Sequence, residues 1–358
     1  MKVSIIADRD EFYSIKHEWE ELYFNSRNRN PFLHHDWILN TIDLLLHQKQ
    51  IKIVLVRTNQ KVLIGACPFV IEEKKVLWKK IKVLRHLNCI ASDYSDLLVS
   101  SSVGNRDIVK KITEAVFNFE FDMFQIDNLN SASATAKLFM KFLTEKSLTT
   151  SRYVNVVNPI LSYSEMEYSD KKGIKDIQRR LKNLSKDNDV SFHIDDAIDK
   201  DAWNKLVMFH KHNYPGFGFN SSQYQGFYNR LLNSEGFKHD FIDFSYMKIN
   251  NVVVAAHFGF VDLKAGTVYY YVPSFDNEYA KYGVGKILLL KLIEYYKDQG
   301  CTTFDFMRGS EAYKTNWMSD ELQNFSIVGC KRNSSLFSRY YVRIWSLAKT
   351  AIFLRRGY

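Results

Sequence analysis

Apolar positions along this 358-residue chain follow two periods. Helical spacing predicts helices over 10–26, 36–47, 106–118 and 131–146, and strand-like runs occupy 51–56, 62–71, 96–99 and 123–126. Asn59-Gln60 falls between the first two strands as a hairpin turn. The second half repeats the plan, with helices over 171–186, 200–212 and 222–233 and a strand over 190–194. Strands 244–249 and 252–261 join through Asn250-Asn251, and a further strand, 267–272, follows Lys264-Ala265-Gly266. An amphipathic helix carrying Ile287, Leu288, Leu290 and Ile293 then runs from Gly283 until Gly300 ends it, before a strand around Phe304-Asp305-Phe306. The expected class is α/β (α+β), with two tandem domains, 1–160 and 161–330, each a mixed, mostly antiparallel sheet flanked by helices. Residues 331–358 read as a basic amphipathic helix.

Composition supports a folded chain. A hydrophobic content of 46%, an aromatic content of 15% and only 5 prolines supply core and argue against disorder. The amino terminus reaches acidic residues after a short apolar run and has no small-residue cleavage site. No apolar segment approaches the roughly 20 residues that span a bilayer. A cytoplasmic location is expected. Cys67, Cys89, Cys301 and Cys330 form no CxxC, so buried thiols are expected rather than disulfides or a metal site.

The net charge of +9 favours anionic partners. Cations concentrate in 171–186, where only Asp176 opposes them, and in 331–358, where no acidic residue occurs. The first run is either a solvated face or a clamp, through Arg179 and Arg180, for the phosphates of an acceptor. The tail either docks on its own domain or makes a peripheral contact with an anionic membrane at its inner face.

Chemistry concentrates in 267–317. Gly283-Val284-Gly285 precedes a helix, where missing side chains and unpaired amides admit a phosphate or pyrophosphate, or where the chain simply turns tightly. A Rossmann site is disfavoured, because Leu288 stands where a third glycine is required. Asp305, between two phenylalanines, is either a general base or a structural carboxylate bonded to a neighbouring loop. Glu311 and Lys314 share one helical face, and Tyr313 and Trp317 share another. Glu311 either serves the site or complements the helix dipole, whereas Lys314 would contact phosphate or carboxylate and Arg308 is a candidate substrate contact. Tyr313 could supply a proton to a departing thiolate. Tyr270 and Val272 border the expected cleft, with Tyr282 and Lys286 beside the glycines. His257 is either a core histidine or a base, and Asp93 either lines a cleft or caps a loop. His210 and His212 lack convincing metal partners.

The run Tyr279-Ala280-Lys281-Tyr282-Gly283-Val284-Gly285 resembles the acyl-CoA pyrophosphate loop of the GNAT acetyltransferases. With Phe304-Asp305-Phe306-Met307-Arg308-Gly309-Ser310-Glu311-Ala312-Tyr313-Lys314 the chain resembles the CelD/BcsL branch of cellulose and polysaccharide biosynthesis, related to the FemAB transferases. Asn30-Pro31-Phe32-Leu33 with Trp37, Ser92-Asp93-Tyr94 and Ala255-Ala256-His257-Phe258-Gly259 extend the resemblance over nearly the whole chain. Ala280 stands where the loop usually has Gln or Arg, and Gly283-Val284 replaces the branch's common Ser-Pro.

The resemblance implies two GNAT-like domains with the co-substrate, acetyl-CoA or another acyl-CoA, held only in the second, and no metal. It implies N- or O-acyl transfer to a sugar or lipid-linked anionic envelope precursor. Two alternatives stay open: FemAB-like transfer from aminoacyl-tRNA, and a non-catalytic polysaccharide-assembly or membrane-associated protein.

Overall fold

A computed structural model describes residues 1–46, 50–165, 172–234, 236–237, 241–309 and 311–355. The chain divides into two compact units, Met1–Val157 with Leu322–Tyr358, and Asn158–Glu321.

Unit 1 opens with β1 (Lys2–Ile6), α1 (Arg9–Ser14), α2 (Lys16–Phe24) and α3 (His35–Leu45). The single helix expected over 10–26 is therefore two. The Asp8 carboxylate caps α1 by accepting from the amides of Asp10 and Glu11, and Ile15, at φ −97° and ψ 16°, interrupts the helix between them. β2 (Gln50–Arg57), β3 (Leu63–Val76), β4 (Lys79–His86) and β5 (Leu98–Val99) lead to α4 (Asn105–Phe117), β6 (Met123–Asn130), α5 (Ala134–Lys146) and β7 (Ser147–Ser162), whose last residues enter unit 2. β1 to β4 pair antiparallel in order, and β6 runs parallel to β4 with Val83 opposite Met123. α4 and α5 bury Ile108, Ile112, Phe139 and Leu143 against this sheet.

In unit 2, α6 (Lys172–Asp187) and β8 (Val190–His193) precede α7 (Lys200–Asn213) and α8 (Ser222–Leu232). β9 (Ile242–Ile249), β10 (Val252–Asp262) and β11 (Thr267–Phe275) form a meander. Asn250 and Asn251, at φ 48° and 64°, make the left-handed two-residue turn that a tight hairpin requires. α9 (Val284–Asp298) crosses back to β12 (Thr303–Asp305), parallel to β11, and α10 (Ala312–Thr315) follows. Among the described residues, each unit thus has four strands paired antiparallel in order, β1 to β4 and β8 to β11, and a helix leading to a strand parallel to the fourth. Phe304, Phe306 and Tyr270 pack with the apolar face of α9 on one side of the sheet, while Tyr271 and Phe258 pack with Tyr228 of α8 on the other.

The chain then returns to unit 1 through β13 (Asp320–Lys331), antiparallel to β6, and α11 (Leu336–Arg355). α11 lays Phe337, Tyr341, Val342 and Trp345 on Val76, Ile81, Val83 and Val328. Among the described residues no helix is long and apolar enough to cross a membrane.

Candidate active site

The site begins where two strands part. β11 pairs with β12 only through Thr267, Val268 and Tyr269, opposite Thr303, Phe304 and Asp305. β11 continues against β10 to Phe275, whereas the chain after β12 bends away at Met307, φ 61°, and Gly309, φ 109°. A wedge opens beyond Tyr269. In it lies a pocket of about 200 Å³ lined by Tyr214, Ala256, Tyr270, Pro273 to Phe275, the loop residues Ala280 and Gly283 to Lys286, Leu288, Leu289 and Tyr313.

The glycines shape the far wall. Gly283 caps α9 at φ 73°, a conformation that side chains resist. Its carbonyl accepts from Lys286 and Ile287, and its own amide donates to Ala280. Helix geometry leaves the amides of Val284 and Gly285 without an intrahelical acceptor, at the positive end of the α9 dipole. A Cβ on Gly285 would stand 3.0 Å from Phe275 Cδ1, so glycine lets the helix start approach β11 closely. This bare backbone edge beside two cations fits the diphosphate of an acyl-CoA.

Those cations are Lys286 and Arg180. A second pocket of about 210 Å³ shares Ala280, Gly283, Lys286 and Tyr313 with the first and is completed by Gly173, Ile174, Asp176, Ile177 and Arg180 of α6 together with Asn316 and Trp317. Arg180 Nε donates to Asp176 at 2.7 Å and Nη1 to the Lys281 carbonyl at 3.3 Å. Its Cδ is 3.7 Å from where a Cβ on Gly283 would stand. Arg179 is exposed and bonds the same carboxylate at 2.5 Å, and the two guanidiniums hold the Asp176 carboxyl below its ordinary pKa.

Tyr313 borders both pockets. Burial, then the nearby Glu311 charge, push its phenol well above the ordinary tyrosine range, so it stays protonated at neutral pH. The Tyr214 phenol is raised for the same two reasons. The turn beneath Tyr313 is pinned by Lys314, which is 4% exposed. Lys314 Nζ donates to the Arg308 carbonyl and contacts the Glu311 carboxylate, both at 2.8 Å. That carboxylate lies only 2.6 Å from where a Cβ on Gly309 would stand, so the missing side chain makes room for it.

The structure brings together Tyr270, Gly283, Val284, Gly285, Lys286, Tyr313 and Arg180. Other candidates line neither pocket. Asp305 alternates to the face opposite Phe304 and accepts from the Met307 amide at 2.7 Å, holding the bend after β12. Lys314 is spent on Glu311 and the Arg308 backbone, and Arg308 is exposed. His257 is fully buried, with its ring stacked 4.4 Å from that of Tyr270 and Nδ1 3.0 Å from Asp243 Oδ2. Gly259 accommodates it, since a Cβ there would sit 2.4 Å from His257 Cε1. Val272 is buried within β11 beside the pocket's strand wall, and Tyr282 lies under the Lys281 ammonium. Asp93 belongs to unit 1, where its carbonyl accepts from Asn324. Ser310 falls outside the described residues.

Sequence reasoning passed over Tyr214, Ser274 and Phe275. Asn213, at the end of α7, donates to Ser274 Oγ at 3.1 Å and to the Phe275 carbonyl at 2.9 Å, which brings Tyr214 to the mouth of the wedge. The Asn-Tyr-Pro-Gly run at the end of that helix was the available signal.

Residues 171–315, which include every residue lining the first pocket, match the family model of an acetyltransferase (GNAT) domain. That segment lies within unit 2 and is similar to a GNAT acetyltransferase domain. Among solved structures the chain is similar to FemX, with TM-score 0.61 and 10% identity over 91% of this chain and 97% of that one. It is also similar to L-PGS from Bacillus licheniformis, with TM-score 0.57 and 11% identity over 92% and 96% of the two chains. A conserved protein of unknown function from Bacteroides thetaiotaomicron gives TM-score 0.54 and 12% identity over 88% and 97%. At these identities the likeness is one of fold. No curated protein matches the chain by sequence.

Proposed function

We propose that unit 2 transfers an acyl group, acetyl in the simplest case, from CoA to an amine or hydroxyl. The observation that carries this reading is the wedge between β11 and β12, ending on the glycine-capped start of α9 with Arg180 and Lys286 beside it. Gly283 to Lys286 and Arg180 would hold the diphosphate, and the apolar walls Tyr270, Phe275, Leu288 and Leu289 would enclose the pantetheine arm and exclude water. As the C–N bond forms and the C–S bond breaks, Tyr313 would give its proton to the sulfur, and its phenolate would recover one from the acylated nitrogen. A free amine needs no dedicated base once bound uncharged, which suits a pocket into which neither Asp305 nor His257 projects.

The resemblance of the segment 304–314 to the CelD/BcsL branch supports a sugar or lipid-linked envelope precursor as acceptor, approached at the inner face of the membrane. Release of CoA thiol from acetyl-CoA in the presence of amino-sugar and polyol acceptors tests the reading. Acceptor-dependent release that Tyr313→Phe reduces supports it. Transfer from aminoacyl-tRNA with no thiol release would replace it with the aminoacyl-transfer alternative.

A further inference from the structure

Two elements of unit 1 put large apolar side chains into solvent on adjoining surfaces. The turn between β3 and β4 consists of Leu77 and Trp78, which are 69% and 81% exposed. Two-residue hairpins ordinarily carry Asn-Gly or similar polar residues. Here Leu77 is held at φ 55°, an uncommon conformation for a branched apolar residue, and its side chain meets water. Alongside, α11 turns Phe337, Tyr341 and Trp345 inward but leaves Leu336, Tyr340, Ile344 and Leu347 between 63% and 72% exposed along one helical stripe. The Trp78 and Phe337 rings are 6.3 Å apart, and Lys79 Nζ lies 3.5 Å from Ser335 Oγ, so turn and helix adjoin.

Cations flank this apolar face, and Glu73, Glu120 and Asp122 stand among them on the side of Lys80 and Ser335. Lys74, Lys75, Lys79 and Lys80 flank the turn, and Arg332 and Arg343 are exposed on the α11 side. Lys74 Nζ sits 4.8 Å over the Trp345 ring. From residue 331 onward the chain has no acidic residue, and Glu73, paired with Lys80 at 3.5 Å, is the acid nearest the turn in sequence with Glu72. A second copy docking here would set cations against cations. A bilayer surface with anionic headgroups would neutralise them while burying the indole and the aliphatic stripe.

We propose that the Leu77-Trp78 turn and the outer face of α11 together form a docking surface for an anionic lipid bilayer. The surface is independent of the acyl-transfer reading, since none of its residues lines the pockets of unit 2. Two insertion points with flanking cations supply the paired signals that stable but reversible attachment needs.

The test is flotation of the full chain with phosphatidylcholine vesicles prepared with and without phosphatidylglycerol. Binding is expected only to the anionic vesicles and should weaken with salt. Leu77→Asn with Trp78→Gly, or Ile344→Asp with Leu347→Asp, should each reduce partitioning by about tenfold or more. Arg343→Glu should reduce it by at least about fivefold. All these side chains are exposed, and far-ultraviolet circular dichroism checks that the variants remain folded. Wild-type tryptophan emission should shift to the blue on anionic vesicles, and Trp78→Phe should remove most of that shift. Failure of the wild type to float, or equal flotation of wild type and both double variants, would overturn the proposal. So would a dimer in light scattering that the double variants abolish while vesicles leave the emission unchanged.

Discussion

The Arg180 guanidinium reaches from α6 to the glycine loop and donates to the carbonyl oxygen of Lys281 at 3.3 Å. Loop position 280 is an alanine, so the charge there comes from a helix about a hundred residues earlier. Arg180→Glu should weaken acetyl-CoA binding by about tenfold or more, and Arg180→Lys should recover part of it. Lys182→Glu, the same charge change on α6 outside both pockets, should alter affinity by less than about threefold. Calorimetric titration at two salt concentrations checks this, and the salt dependence should be smaller in Arg180→Glu.

Tyr313 borders both pockets with its phenol held protonated. Tyr313→Phe should lower kcat by about 10²-fold while leaving acetyl-CoA affinity within about threefold. Steady-state kinetics with an active acceptor would show the separation. A loss confined to KM would assign Tyr313 to binding instead.

Alkaline pH should destabilise unit 2. Burial raises the phenols of Tyr270, Tyr296 and Tyr313 far above their unfolded values. A raised folded pKa means that the folded chain keeps its proton after the unfolded chain has lost it. The stability is therefore fully present below the unfolded tyrosine pKa of about 10 and declines as pH rises above it. Melting temperatures between pH 8 and 11 should fall increasingly steeply above about pH 10, and the fall should be shallower in Tyr296→Phe.

Lys314 is a fastener of the turn. Lys314→Ala removes the donor to the Arg308 carbonyl and the partner of Glu311, and should cost about 1–3 kcal/mol. Glu311 is 52% exposed at its side chain, so Glu311→Gln should cost less, about 1 kcal/mol or below. Chemical denaturation gives both values. A larger loss for Glu311→Gln would contradict this assignment.

The parts legible in the sequence were the local ones. Gly283 and Gly285 announce their backbone conformation and close approach without tertiary information, and Asn250-Asn251 announces its turn. The apolar pattern predicts neither β4 nor β7, because Lys79–His86 carries Lys79, Lys80, Lys82 and Arg85 and Ser147–Ser162 mixes small polar and apolar residues. Their pairing with neighbouring strands outweighs those local preferences. Candidate residues chosen for their chemistry alone fared differently. Lys314 and Asp305 have the composition of a site, yet the former bonds a carbonyl six residues back and the latter an amide two residues on. Such short-range partners depend on the path of the bend at Met307 and Gly309, which side-chain type does not reveal. Tyr214 enters through the Asn213 bonds to β11, sixty residues away in sequence.

We propose that the wedge between β11 and β12 holds acyl-CoA. Titration of the protein with acetyl-CoA, in parallel with Gly285→Val, tests it most directly, because a Cβ at 285 already meets Phe275 at 3.0 Å and a branched side chain should close the mouth of the wedge. Gly285 lies at the start of α9 with no left-handed requirement, so the variant should remain folded. The expected result is saturable binding at one site per chain that Gly285→Val loses. Absence of binding to the wild type, or equal binding by a folded Gly285→Val, would contradict the claim.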